Sequence, residues 1–105
     1  MYTVTNRIKV KKGMGQKMAP LFTSGKELLE FEGFHKVEVH VSTQHEEYDE
    51  MNVMMYWDAL AHFEHWRASD SFKKAHARDA GNGHGASPVI SNQVVISELV
   101  STLSE

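Results

Sequence analysis

The 105-residue sequence contains no cysteine. That excludes a disulfide framework and any thiolate-held metal, so metal chemistry would have to use His, Asp or Glu. No run approaches the roughly 18 consecutive apolar residues of a membrane-crossing helix, so no membrane partner is expected. Neither sign of charge dominates: 14 acidic residues stand against 11 basic ones, for a formal net charge of −3. A protein that tracks phosphates normally carries a basic excess, so no nucleic acid is expected as a partner either. No charged-then-apolar leader opens the chain, because MYTVTNRIKVKK alternates like a strand. Phosphate cradles and common nucleophiles are missing too. The GMG and GNGHG runs lack a strand–turn–helix context, and there is no Ser elbow or Cys–His pair. With no internal repeat or linker, these absences imply a single domain over residues 1–105, expected in the cytoplasm.

What is present is periodicity. From Tyr2 to Val10, Tyr2, Val4, Asn6, Ile8 and Val10 share one face and Thr3, Thr5, Arg7 and Lys9 the other, which predicts a half-buried strand. Asn6 is the anomaly, a carboxamide on the apolar face. Leaving it unpaired would cost roughly 1–3 kcal/mol, so a protein or ligand partner is expected. A helix follows over about 16–31, with Met18, Leu21, Phe22, Leu28 and Leu29 as its apolar set and Ser24-Gly25 as a possible kink. Phe34 to Thr43 alternates strictly, with Val37, Val39 and Val41 on one side and His40 on the polar side. The run Gln44 to Glu50 reads as a solvated acidic hairpin tip. Met51 to Trp57 is apolar on both faces and needs two covers, helices on one side and a partner subunit or ligand on the other.

Asp58 is placed to cap a helix reaching Trp66, and Ser69 to Ser71 offer caps for a further short helix carrying Phe72, Ala75 and His76. The Gly-, Asn- and His-rich stretch 78–87 reads as a loop, and a last strand runs from Val89 to about Leu103. The order β-α-β-β-α-β predicts an α+β, ferredoxin-like sandwich with both helices on one face of an antiparallel sheet. In so small a chain the simplest cover for the other face is a second copy, two sheets packed face to face in a dimeric α/β barrel.

Among the seven histidines, His62 and His65 are three apart on a helix, a conceivable zinc pair with no third or fourth ligand evident. The set with most chemistry is Asn6, Trp66 and His76. His76 lies between Ala75 and Ala77, one helical turn after Phe72, where small neighbours leave an imidazole free to reach a metal. A neutral imidazole can ligate haem iron, an amide N–H can donate on the opposite side of that iron, and an indole can press on a porphyrin and bend it.

At these residues the chain resembles the small haem-degrading monooxygenases of the IsdG type, within the antibiotic biosynthesis monooxygenase (ABM) superfamily. The likeness runs through TNRIKVKKG with Asn6, EGF at Glu32–Phe34, YDE at Tyr48–Glu50, the MYW strand end at Trp57, WRASDSFKKAH from Trp66 to His76, and SPVISNQV at Ser87–Val94. It departs in the glycine-rich loop 78–86, which carries His84. The resemblance implies that Asn6, Trp66 and His76 form the catalytic and haem-binding site, with His76 as axial iron ligand. It further implies haem as both substrate and cofactor, O2 as co-substrate, an external electron donor (a reductase or small reductant), and a homodimer. Family members differ in the fate of the meso carbon. Two alternatives remain open on sequence: a haem carrier or sensor without turnover, and a cofactor-free monooxygenase of a polyketide-like aromatic.

Overall fold

In the computed structural model, residues 1–73 and 88–105 are described. Strand β1 spans Tyr2–Lys11, β2 Phe34–Ser42, β3 Tyr48–Trp57 and β4 Val89–Glu98. All pair antiparallel in the order β2-β3-β1-β4, the ferredoxin-like arrangement expected from the element order. The chain fastens the sheet at its corners. The Leu99 N–H donates to the Met1 carbonyl and the Lys11 N–H to the Pro88 carbonyl, each at 2.8 Å.

Alternation decides the two faces. On the helix side lie Val4, Ile8 and Val10 of β1 and Met51, Val53, Met55 and Trp57 of β3, all buried. They divide into two clusters. Val4, Met55, Trp57 and Phe63 form one, beneath α2 (Leu60–Arg67), with Leu28, Phe31, Phe34 and Trp66 packed on it. Ile8, Val10, Met51 and Val53 form the other, with Met14, Met18 and Phe22 packed on it. The opposite face is polar on β1 and β2 and only half-buried on β3, where Tyr56 lies under Lys36 Nζ, 4.7 Å from its ring centre.

Three local expectations are corrected. The helix over 16–31 is broken into α1 (Gly15–Met18) and two 3₁₀ turns, Ala19–Phe22 and Lys26–Glu30. Pro20 removes an N–H donor from the run, and Gly25 adopts an extended conformation, so no continuous helical ladder forms. Asp58 does not cap α2: the cap position is Ala59, without a side-chain bond. Asp58 instead accepts from the His35 imidazole, which holds its carboxyl below the usual range. Asp49 is not part of a solvated tip. It is 1% exposed and ties the β1–α1 turn to β3, accepting at Oδ2 from the N–H groups of Gly13 (2.9 Å) and Gly15 (3.1 Å). Lys12 Nζ lies 3.4 Å from its other oxygen.

Candidate functional site

Asn6 sits between Val4 and Ile8 on the helix side of β1, at the seam between the two core clusters. Its register partners are Val53 on β3, which is buried, and Val94 on β4, which is not. The expected hydrogen-bond partner is a second carboxamide. Asn92 Nδ2 donates to Asn6 Oδ1 at 3.2 Å. Ile8 faces Asn92 directly, so the two amides meet across the diagonal of the β1–β4 ladder. With its oxygen engaged there, Asn6 keeps its NH2 group without a protein acceptor among the described residues. Asn92 is not among the residues the sequence singles out. The signal that could have found it is the one that found Asn6, an amide interrupting the apolar face shared by Val94 and Ile96.

Trp66 is brought to the same side of the sheet by α2. It is half-buried in a chain of aromatic contacts: 6.0 Å between ring centres to Trp57, 6.1 Å to Phe63, and 4.8 Å edge-to-face to Phe72. The turn that follows is fixed by Ser69. Its N–H and Oγ–H both donate to the Trp66 carbonyl, and its Oγ accepts from the Phe72 N–H at 3.3 Å. Ser69 thus closes α2 and opens the next helical residues, as its sequence position predicts. His76, and the loop 78–86 with His84, lie outside the described residues.

Beside Asn6, the helix-side residues of β4 are open, with Val94 54% and Ile96 46% exposed. An apolar strip, an aromatic wall and an amide donor without a protein acceptor among the described residues suit a flat apolar ring system bearing a polar centre. An apolar surface and an amide donor fit a haem, whose iron ligand, His76, lies outside the described residues. A separate cleft between the Lys26–Glu30 turn and α2 is lined by Glu30, Phe31, Glu32, His62, His65 and Ser71. The conceivable zinc pair lies there, but no three His, Cys, Asp or Glu side chains gather as a metal-binding group among the described residues. The His62 ring lies against Gly33, and His65 packs edge-on against Phe31.

The fold and site define a class: a ferredoxin-like α+β sandwich with an aromatic cluster and a strand-borne amide on the same side of its sheet. The model of the antibiotic biosynthesis monooxygenase family matches residues 1–78, and the chain belongs to that family. Among curated proteins, it is 45% identical over 104 residues to a haem oxygenase (staphylobilin-producing) of Staphylococcus saprophyticus, covering 99% of this chain and 100% of that one. A protein of the same description from Staphylococcus haemolyticus is 44% identical over the same shares. Among solved structures, a Bacillus cereus protein described as a putative antibiotic biosynthesis monooxygenase superposes with a TM-score of 0.79 at 21% identity, covering 99% of this chain and 97% of that one. The haem-degrader MhuD of Mycobacterium tuberculosis, solved with two haems in its active site, superposes with a TM-score of 0.69 at 20% identity, covering 99% and 100%.

Proposed function

We propose that this protein is a haem-degrading monooxygenase acting through Asn6, Trp66 and His76. The observation that carries the reading is the Asn6 carboxamide on the helix side of the sheet, its oxygen tied to Asn92 and its NH2 group without an acceptor among the described residues. Haem, supplied with electrons by an external donor, brings the dioxygen chemistry that opens its own ring and frees the iron. The chain's residues bind and orient. His76 is the residue that would hold the iron, as a neutral imidazole. Asn6 supplies a fixed N–H dipole in a site partly shielded from water, where such a donor is worth more than in bulk solvent. Trp66, packed against Trp57, Phe63 and Phe72, would supply a bulky wall against the bound ring.

The product is of the staphylobilin type named for the two relatives that match this chain over nearly its whole length. Residues 1–105 act as one domain in a homodimer, served by a reductase or small reductant in the cytoplasm. No described helix is long and apolar enough to cross a membrane. Single-turnover assays on purified variants test the site. Asn6→Ala should bind haemin but lose about a hundredfold or more in ring-opening rate, the scale of removing one preorganised donor. His76→Ala should lose both the iron-ligand absorption signature and the activity. Turnover at the wild-type rate in either variant would remove that residue from the site, and product mass spectrometry on the wild type decides the tetrapyrrole.

A further inference from the structure

A primary amide has two faces of nearly equal shape, one accepting and one donating. What an asparagine offers to a cleft therefore depends on what holds its other end. Asn6 on β1 is held by one side chain, Asn92 on the neighbouring β4, whose Nδ2 donates to Asn6 Oδ1 at 3.2 Å. With that bond made, a half-turn of the Asn6 amide alone would set NH2 against NH2, so its NH2 group is kept on the side away from Asn92. We propose that Asn92 is a positioning residue that selects the donating orientation of Asn6. This rests on the haem-degrading reading of the same site.

The pairing has a consequence that ordinary packing does not. Aspartate has the shape of asparagine but can only accept. In Asn92→Asp the Asn6 NH2 group must turn toward the new carboxylate, presenting Oδ1 to the cleft. Asn92→Ala merely frees Asn6 to sample both orientations. An orienting role thus makes the isosteric variant the more damaging one, whereas a packing role makes alanine the worse. Asn92 is solvent-exposed on an edge strand, so neither variant threatens the core.

The test uses azide binding to the full-length protein loaded with haemin, together with side-chain amide NMR of the haem-free protein. Azide affinity should fall about tenfold in Asn92→Asp, the scale of losing one hydrogen bond to a charged acceptor, and about twofold in Asn92→Ala, where about half of the orientations still donate. Haemin affinity should change little. The new charge of aspartate also repels azide, so each variant is repeated on an Asn6→Ala background. There the charge effect persists and the orienting effect disappears, so the Asn92→Ala loss should vanish and the Asn92→Asp loss should shrink to the charge effect alone. In the haem-free protein, Asn92→Asp should move the Asn6 side-chain NH2 resonances more than Asn92→Ala does.

Equal losses in the two variants, a larger loss in alanine, or the same aspartate loss with and without Asn6 would each overturn the proposal while leaving the haem reading intact. Failure of the wild type to bind haemin would instead sink the reading of the site. The NMR comparison would still report whether Asn92 orients Asn6.

Discussion

Asp49 on β3 is almost fully buried under the β1–α1 turn, yet its carboxyl is held below the ordinary carboxylate range. Burial pushes its carboxyl up. The N–H groups of Gly15 and Gly13 and the Lys12 ammonium more than offset that and leave the pKa below the ordinary 3.8. A carboxylate with a lowered folded-state pKa contributes stability above its ordinary value, and that contribution is lost as pH falls through the lower folded value. Urea unfolding followed across the acid range should therefore show stability dropping below pH 3.8 in the wild type. Asp49→Asn, which keeps an acceptor for the glycine donors but cannot titrate, should have a flatter acid limb; an unchanged limb would contradict the account. At this scale the sequence was informative only where a residue broke a pattern. Asn6 is legible because parity places an amide on an apolar face. Asp49 is not, because it reads as one more acid in an acidic hairpin, and only the fold brings Gly13 and Gly15 to it.

Strands are the elements that sequence specifies best here, because period-two alternation survives whatever the loops do. Val37, Val39 and Val41 line the side that alternation assigns them, and His40 is on the polar side. The first helical region is different. A 3.6-residue period assumes one continuous ladder, and across a proline and an extended glycine that assumption fails. Leu21 and Leu29, assigned inward by that period, are each 72% exposed, while Leu28 and Phe31, three apart as a 3₁₀ turn requires, pack on the core.

Glycines divide in the same way, by what surrounds them. Gly33 ends the segment before β2 at a φ of +81°, and a Cβ there would run into the His62 ring. Gly25 has a φ of −81° and open space around it. Gly33→Ala should cost about 2 kcal/mol or more, through both the backbone and the clash. Gly25→Ala should be neutral or stabilise by about 0.5 kcal/mol through the unfolded chain. Denaturant titration of the pair checks this, and equal effects would refute it.

At the scale of the whole molecule, the ferredoxin-like order was legible in the succession of elements, and the strand pairing followed from it. The exposed last strand and tail were not. Beyond Glu98, Leu99 is 51%, Val100 86% and Leu103 99% exposed. So many open apolar side chains at one edge are costly for a monomer and suit burial against a second copy. Light scattering should give twice the 11.9 kDa chain mass. Truncation after Glu98 should shift the protein toward monomer at micromolar concentration; a truncated chain that stays as dimeric as the full one would place the interface elsewhere.

The central claim, that the protein binds haem through Asn6, Trp66 and His76 and directs its oxidation, is tested most directly by a visible-absorption titration with haemin, followed by ascorbate in air with catalase present. The account predicts a saturating Soret band that then decays as chelatable iron appears. A Soret band that forms and persists under a stronger reductant, or one that never forms, would contradict it.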